Sequence, residues 1–393
     1  MKFDFDETLN RENTNSVKFD LREKLFGRHD IIPMWVADMD FKVPPPVAEA
    51  IQQRAHHEIY GYSIRPESFY ESAVSWMKRR HGWTIDRSWL TFTPGIVPGF
   101  NLAIMALTKP GDKIMIQPPV YFPFFHGIRK NNREVIENRL ILKNGRYHID
   151  FDDFEKQLKE GVRMFILSNP HNPGGSVWTY DELKRMGELC TYYGATIIAD
   201  EIHCDIVFPG HHYVPMASVS DEVAEHTITF IAPSKTFNIA GLATSVGIIS
   251  NKALREAFNE MLERTHVANG NLFGTVALEA AYNQGDQWLD ELLRYLMGNL
   301  DLVEQFTRDR LPGVDLVRPE GTYLAWRDCR DLPVEKQQLN RFMIDKAHVG
   351  MNDGASFGQN GEGFQRLNFG CPRHRLKTAL TQIEQAVKQL RDS

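Results

Sequence analysis

Four polar segments of this 393-residue sequence follow apolar runs and carry groups that could do chemistry. The segment SNPHNPGG presents the amide of Asn172, ADEIH presents the carboxylate of Asp200, and APSKTFNIAGL presents the amine of Lys235. A lysine set among apolar and small residues is a candidate for the lowered pKa that an imine-forming amine requires. In the fourth segment, TPGIVPGF, a Pro-Gly turn precedes Ile96 and Val97 at the start of an apolar helix, where free backbone N–H groups would bind phosphate.

Each segment also has an ordinary structural explanation. The loop around Asn172 could be only a tight turn, Asp200 a helix N-cap or half of a buried ion pair, and Lys235 a surface lysine. Many helices also begin after Pro-Gly. The combination is more specific than any one part, because an amide, a carboxylate, an amine and an anion cradle are what a phosphorylated pyridine aldehyde needs.

The elements that must position these groups alternate along the chain. Continuous apolar runs of about four residues predict strands buried on both faces of a sheet. The runs are 113–116, 164–167, 196–199, 228–231 and 246–249. Amphipathic stretches such as 180–193 predict covering helices, so we expect an α/β domain with a mostly parallel sheet. Ligands of such sheets bind outside the carboxyl ends of the strands, which is where the four segments lie.

The chain is predicted to form two domains. Residues 1–45 are irregular and end in three consecutive prolines, expected to be a stiff connector that cannot sit inside a helix. We expect 46–285 to be the large α/β domain and 286–393 a smaller α+β domain, which the N-terminal arm joins. The tail ends in an amphipathic helix whose apolar stripe is Leu376, Leu380, Ile383, Val387 and Leu390.

Composition excludes several other classes of protein. The chain has 45 basic and 51 acidic side chains and a net charge of −6, which gives no reason to expect nucleic acid or an anionic membrane as a partner. No apolar stretch approaches the roughly 18 residues of a membrane span, and the N-terminus lacks the apolar region of a secretion signal. Four scattered cysteines and His pairs without a spaced third ligand predict no disulfide framework, no metal site and a cytoplasmic location.

The order of the segments TPG, PPVY, SNPHNPGG, ADEIH and APSKTFNIAGL resembles the fold-type I pyridoxal-phosphate enzymes, the aspartate aminotransferase superfamily. Within it, WVADMDF at 35–41, GY at 61–62 and RLNFGCP at 366–372 are similar to the MalY/PatB-type cystathionine β-lyase, or cysteine–sulfur lyase, branch. The resemblance covers essentially the whole chain. It implies a three-layer αβα transferase fold with a mostly parallel sheet and a smaller α+β domain, and pyridoxal 5′-phosphate as cofactor.

The resemblance also implies roles for individual residues. Lys235 resembles the lysine that forms the Schiff base, Asp200 the partner of the pyridinium nitrogen, and Asn172 the donor to the ring hydroxyl. Tyr121 in PPVY resembles the aromatic residue that stacks on the ring, and it could protonate the leaving thiolate as Lys235 could. Arg366 matches the arginine that binds the substrate α-carboxylate, and a bidentate pair of this kind orients the Cα–H bond.

The phosphate group is expected at the backbone amides of Ile96 and Val97. Tyr62 resembles a tyrosine that reaches the phosphate and the substrate of the neighbouring subunit, which implies a homodimer with shared active sites. Typical aminotransferases of the superfamily have a serine and an arginine on the phosphate where this chain has Ala232 and Ala243. Phosphate binding would therefore depend more on backbone amides, on Tyr62 and on Ser234.

A further departure lies three residues after Asp200, where the usual tyrosine is replaced by His203. The lyase branch shares this change. His203 could hydrogen-bond the ring hydroxyl, or it could serve packing alone.

The predicted activity is α,β-elimination on a cysteine S-conjugate such as cystathionine, which gives a thiol, pyruvate and ammonia. The alternative is an aminotransferase that moves an amino group from an amino acid to a 2-oxo acid, since it would need the same Lys235, Asp200, Asn172 and Arg366. A cofactor-binding regulatory or interaction protein is a third hypothesis, which the intact Lys235 and Asp200 make less favoured. The expected partner is a small amino-acid substrate.

Overall fold

The computed structural model describes residues 2–392, and its elements are numbered here in chain order. The helices are α1 (Val17–Asp20), α2 (Arg22–Phe26), α3 (Pro45–Ala55), α4 (Glu67–His81), α5 (Ile96–Leu107), α6 (Pro123–Lys130), α7 (Phe151–Lys159), α8 (Tyr180–Tyr192), α9 (Asp221–Ala224), α10 (Pro233–Thr236), α11 (Lys252–Arg264), α12 (Leu272–Gln284), α13 (Asp286–Arg310), α14 (Leu339–Asp345) and α15 (Arg373–Asp392). The strands are β1 (Ile32–Pro33), β2 (Leu90–Thr93), β3 (Lys113–Ile116), β4 (Glu134–Glu137), β5 (Ile141–Lys143), β6 (Arg146–His148), β7 (Val162–Ser168), β8 (Thr196–Asp200), β9 (Thr227–Ile231), β10 (Ser245–Ile248), β11 (Asp315–Val317), β12 (Leu324–Asp328), β13 (Val349–Gly350), β14 (Asn352–Asp353) and β15 (Phe364–Asn368).

The central sheet has the strand order β2-β10-β9-β8-β7-β3-β4. Neighbouring strands are parallel except at β10, which runs antiparallel to both β9 and β2. All five apolar runs predicted from the sequence are strands of this sheet. The other two strands, β2 and β4, were not predicted, because neither is a continuous aliphatic run.

Helices cover both faces of this sheet. Ile198 of β8 packs into one apolar cluster with residues of α5 and α11, whereas its neighbours Ile197 and Ala199 pack into another cluster with residues of α7 and α8. Successive side chains of a strand point to opposite faces, so the two clusters lie on opposite sides of the sheet. The predicted three-layer αβα architecture is confirmed.

The register of the strands brings the predicted polar segments to one edge. Ser168 at the end of β7 pairs with Asp200 at the end of β8, and Asp200 pairs with Phe230 near the end of β9. The residues that follow β7, β8 and β9 therefore emerge side by side. This edge is the carboxyl end of the sheet, where ligands of open α/β folds bind.

A second sheet of four antiparallel strands, in the order β11-β12-β15-β14, lies within the last part of the chain. The N-terminal arm packs with the same part of the chain, because β1 pairs in parallel with β13 in a separate two-stranded sheet. This pairing supports the division into 1–45, 46–285 and 286–393, which stays a prediction.

The three consecutive prolines do not form the predicted connector. Pro44 is the N-cap of α3, and Pro45 and Pro46 are its first two residues. The prediction was wrong because the first residues of a helix have no intrahelical partner for their N–H groups, so proline costs nothing there and its fixed φ suits the helix.

The two longest helices lie in the C-terminal part of the chain. α13 has 25 residues and α15 has 20, and they pack against each other. The predicted stripe of α15 is buried at Leu376, Leu380, Ile383 and Val387. Between residues 2 and 392, no helix combines the length and the apolar character that crossing a membrane requires.

Candidate active site

A cavity of about 250 Å³ opens at the carboxyl ends of β7, β8 and β9. Its wall includes residues from six separate parts of the chain, and most of the predicted site residues are among them. Those present are Ile96, Val97, Tyr121, Asn172, Asp200, His203, Ser234 and Lys235. The structure therefore brings eight of the ten predicted residues into one cavity.

Lys235 lies on α10, the single-turn helix that follows β9. Its Nζ donates a hydrogen bond of 2.6 Å to the carbonyl oxygen of Ala37. Burial lowers the pKa of Lys235 to about 8, even though the negative charges of Asp38 and Asp200 act to raise it; the nearby charge of Arg366 lowers it further. A neutral amine is therefore available much closer to pH 7 than in an ordinary lysine.

Asp200 ends β8 and is buried. Its Oδ1 accepts a hydrogen bond of 3.3 Å from the backbone N–H of Ile202, and among residues 2–392 no cationic side chain lies within 4 Å of it. Burial raises the pKa of Asp200 to about 7. A buried carboxylate of this kind requires a positive partner, and the protonated nitrogen of a pyridine ring in the cavity would supply one.

Arg366 lies on β15 and is 3% exposed. Its Nη1 donates to Oδ1 of Asn172 at 2.8 Å, and its Nη2 donates to Oδ1 of Asn352 at 2.6 Å and to the carbonyl oxygen of Trp35 at 3.1 Å. The Nε atom is buried without a partner. These partners are all neutral, so the guanidinium keeps its charge uncompensated beside the cavity and can bind an anion such as a carboxylate. Burial lowers its pKa to about 10, which leaves it charged at neutral pH.

Asn172 lines the cavity, whereas Arg366 does not. The hydrogen bond between them therefore connects Arg366 to the wall of the cavity. Because the Oδ1 atom of Asn172 accepts from Arg366, its amide N–H groups are left to donate. An acceptor such as a ring hydroxyl oxygen in the cavity fits this arrangement.

The start of α5 supplies the anion cradle. Gly95 is its N-cap and has a φ of 114°, a conformation that favours glycine. The N–H groups of Ile96 and Val97 have no intrahelical acceptor, and Pro98 has no N–H to offer. Ala243 lines the same cavity and brings no charge to it.

Tyr121 and His203 complete the wall of the cavity. Burial raises the pKa of Tyr121 to about 12, helped by the charge of Asp200, so its hydroxyl stays protonated. Burial lowers the pKa of His203 well below its usual value, so its ring is neutral. The Nδ1 atom of His203 is buried and has no hydrogen-bond partner. This orphaned atom points to a ligand in the cavity.

Tyr62 does not lie in this cavity. Its side chain is fully exposed on a loop, at 106% relative exposure. The predicted role of Tyr62 concerns the active site of a neighbouring subunit, and it stays a prediction.

Sequence reasoning missed the part played by the backbone of the N-terminal arm. The carbonyl oxygen of Ala37 accepts from Lys235 and, at 3.0 Å, from the hydroxyl of Tyr323. Nδ2 of Asn368 donates to the carbonyl oxygens of Val36 and Asp38. The sequence motif WVADMDF marks this segment, but nothing in its residue types indicates that its main-chain atoms contact the site. Asn352 was missed entirely, because no motif marks it.

The orphaned ring nitrogen of His203, the buried carboxyl group of Asp200 and the free N–H groups of Ile96 and Val97 fit a phosphorylated pyridine aldehyde. Together, the fold and this cavity define a pyridoxal-phosphate-dependent enzyme of fold type I.

Comparisons with known proteins agree with that class. The family model for aminotransferase class I and II matches residues 29–383. Cystathionine β-lyase PatB of Bacillus subtilis is 42% identical over 98% of this chain and 99% of its own length. The crystal structure of cystalysin from Treponema denticola, which contains pyridoxal 5′-phosphate, superposes with a TM-score of 0.96 at 35% identity, covering 99% of this chain and 100% of that one. A pyridoxal-phosphate-bound C–S lyase from Staphylococcus hominis gives 0.91 at 35% identity, covering 98% of each chain.

This chain therefore belongs to the class I and II aminotransferase family.

Proposed function

We propose that this enzyme is a carbon–sulfur β-lyase that cleaves cystathionine or a related cysteine S-conjugate by α,β-elimination. The reaction breaks the Cα–H and Cβ–S bonds of the substrate and releases a thiol, which is homocysteine when the substrate is cystathionine. The other product, aminoacrylate, takes up water and gives pyruvate and ammonia. Elimination is supported by the full-length similarity to cystathionine β-lyase PatB, to cystalysin and to a C–S lyase.

The observation that carries the proposed cleavage of the Cα–H bond is the position of the Lys235 amine. It lies in the same cavity as Asp200 and Asn172, and it has a pKa of about 8. Abstraction of an α-proton requires a base of this kind, held close to the substrate and neutral near the working pH. Bound pyridoxal phosphate would supply an electron-withdrawing ring that stabilises negative charge at the substrate Cα.

The residues of this chain would hold the cofactor as follows. Lys235 would attach it covalently and, once displaced by the substrate amine, would take the Cα proton at Nζ. Asp200 would keep a proton on the ring nitrogen. Asn172 would donate to the ring hydroxyl, with His203 as a second partner of that oxygen. Tyr121 would stack on the ring.

Three further residues would bind the phosphate. Ile96 and Val97 line the cavity at the start of α5, and the free N–H groups and the dipole of the helix favour an anion there. Ser234 also lines this wall and is a candidate donor.

Arg366 would bind the substrate α-carboxylate. Its guanidinium is held by Asn172, Asn352 and the carbonyl oxygen of Trp35, so its orientation is set before the substrate arrives. Preorganisation of this kind lowers the entropic cost of orienting the Cα–H bond towards Lys235. After the Cβ–S bond breaks, Lys235 or Tyr121 would return a proton to the thiolate sulfur.

The proposed assembly is a homodimer. Ile59, Tyr60, Tyr62 and Ile64 form an exposed group of large apolar or aromatic side chains on one loop. Such a group favours a protein interface, and in a dimer Tyr62 would reach the phosphate and the substrate of the neighbouring subunit. A cytoplasmic location belongs to the same proposal and is supported by four buried cysteines that are all free.

The test is pyruvate release from cystathionine by the purified holoenzyme, with no 2-oxo acid present. A lyase releases pyruvate over many turnovers under these conditions. If pyruvate stays at background and turnover begins only when a 2-oxo acid is added, the enzyme is an aminotransferase and the proposal is wrong. A Lys235→Ala protein that still performed the biological role would instead favour a regulatory function.

A further inference from the structure

A buried carboxylate outside the cavity contacts the residue next to Lys235. Asp205 lies five residues after Asp200, and its side chain is 1% exposed. Its Oδ2 accepts a hydrogen bond of 2.7 Å from the hydroxyl of Thr236. Neither Asp205 nor Thr236 lines the cavity, and both residues are buried outside it.

Helix α4 holds this carboxylate in place. The Nε1 atom of Trp76 donates to Oδ1 of Asp205 at 2.9 Å, and the Nε2 atom of His81 lies 2.7 Å from the same oxygen. Burial acts to raise the pKa of Asp205, but the hydrogen bonds and the nearby His81 outweigh it and hold the pKa below its usual value. Asp205 is therefore an ionised and fully engaged hydrogen-bond acceptor.

The segment that carries Lys235 is too short to fix the position of this side chain by its own helical hydrogen bonds. Helix α10 has four residues, a single turn. Phe237, the residue directly after α10, packs edge-on against Trp76, with ring centroids 5.6 Å apart. The side chain of Asn238 then binds the backbone of Met39 and Phe41 in the N-terminal arm. The residues after Lys235 are thus held by contacts with other elements.

We propose that Asp205 is a positioning residue for Lys235: by holding Thr236 against α4, it sets the depth and direction at which the Lys235 side chain enters the cavity. The inference rests on the proposed role of Lys235. Displacing a catalytic amine by about 1 Å can cost on the order of 100-fold in rate, so a contact one residue away can matter without touching the substrate.

A purely structural role for the same hydrogen bond is the rival explanation. Removing the bond would then lower stability, as the loss of any buried hydrogen bond does, and leave the Lys235 amine unchanged. The two explanations differ in the pH titration of the visible absorbance band of the holoenzyme. That band reports the linkage between Lys235 and the cofactor directly, whatever reaction the enzyme catalyses.

The test replaces Thr236 with valine, which keeps the shape of the side chain and removes the hydroxyl. The matched control is Thr229→Val, because Thr229 is also fully buried and its hydroxyl has no hydrogen-bond partner. We expect Thr236→Val to lower kcat by about tenfold with little change in KM, and to shift the midpoint of the absorbance titration by about 0.5 pH unit. Thr229→Val should leave kcat and the midpoint unchanged.

A Thr236→Val holoenzyme that matches Thr229→Val in both kcat and titration midpoint overturns the proposal. If Thr236→Val does not fold, Thr236→Ser, which keeps the hydroxyl, is compared with Thr236→Ala, which lacks it. The serine variant should titrate as the wild type does, and a serine variant shifted as far as the alanine variant overturns the proposal. If the wild type releases no pyruvate while Thr236→Val still shifts the titration, the lyase assignment fails and the positioning role stands.

Discussion

The guanidinium of Arg366 and the side-chain amide of Asn172, 194 positions apart in the chain, are joined by a hydrogen bond of 2.8 Å from Nη1 to Oδ1. In the proposed roles, Arg366 binds the substrate carboxylate and Asn172 binds the ring hydroxyl of the cofactor. The bond between them fixes the relative position of the two ligands. It also orients the amide of Asn172, because its oxygen is already used and only its N–H groups remain for the cavity.

Replacing Arg366 with lysine tests the carboxylate site. A lysine is a single point donor and cannot hold Asn172, Asn352 and a substrate carboxylate together. We expect kcat/KM for cystathionine to fall by about 10²- to 10³-fold, mostly through a higher KM. Steady-state kinetics of pyruvate release measures both kcat/KM and KM. Arg330→Lys, an exposed arginine paired with Asp328, is the control, and an equal effect of both changes would contradict the assignment.

Replacing Lys235 with alanine tests the base. The variant lacks both the amine that attaches the cofactor and the group that takes the Cα proton. We expect kcat/KM to fall by about 10³-fold or more, together with loss of the visible absorbance of the covalently attached cofactor. Lys252→Ala changes an exposed lysine on α11 and should leave both quantities unchanged. Normal pyruvate release by Lys235→Ala would exclude the proposed mechanism.

Replacing Asp200 with asparagine removes the charge that would keep the ring nitrogen protonated. We expect kcat to fall by about 10²- to 10³-fold, while the protein still binds pyridoxal phosphate. The adjacent Glu201 provides a matched control. Its carboxyl group is also buried and its pKa is raised to about 8 by burial, so Glu201→Gln replaces a group that is largely neutral at pH 7. Similar kcat values for the two variants would show that the charge of Asp200 is not needed.

The pH dependence of kcat follows from the pKa of Lys235, about 8. Below that pH the freed amine is protonated and cannot take the Cα proton, so kcat should rise with pH up to about 8 and then level off. The negative charge of Asp38 stabilises the ammonium and so raises this pKa. We therefore expect Asp38→Asn to move the rise in kcat to lower pH. Asp30→Asn, which changes an exposed aspartate paired with Arg28, should leave the pH dependence of kcat unchanged. A shift of the rise in kcat to higher pH in Asp38→Asn would contradict the expected effect of Asp38 on the pKa of Lys235.

The proposed dimer can be tested at Ile64, which is 87% exposed in the single chain. An aspartate at this position would place a charge in the interface, where burying it without a partner is costly. We expect Ile64→Asp to sediment as a monomer at concentrations where the wild type is a dimer, and to bind pyridoxal phosphate more weakly because Tyr62 is lost from the site. Ile141→Asp changes an isoleucine that is 49% exposed on β5 and should remain dimeric. A monomeric wild type would exclude shared active sites.

Much of the fold could be predicted from local sequence. The five central strands are continuous aliphatic runs, because a strand covered by helices on both faces must be apolar on both. Since parallel strands end at a common edge, the same runs also predicted that the segments carrying Asn172, Asp200 and Lys235 would meet. The edge strand β4 escaped prediction because its sequence, EVIE, places glutamates at both ends. The prolines at the start of α3 were misjudged because their place in the first turn depends on where the helix begins.

By itself, the sequence determined which groups could do the chemistry and the strand ends on which they lie, since both follow from residue types and hydrophobic periodicity. Only the tertiary structure decided what holds those groups. The carbonyl oxygen of Ala37 reaches Lys235 because the arm folds across the sheet edge, and the carboxylate of Asp205 reaches Thr236 because α4 packs beside it. Main-chain acceptors and long-range hydrogen bonds cannot be recognised from a periodic pattern in the sequence. They depend on how distant segments pack together and not on the types of neighbouring residues along the chain.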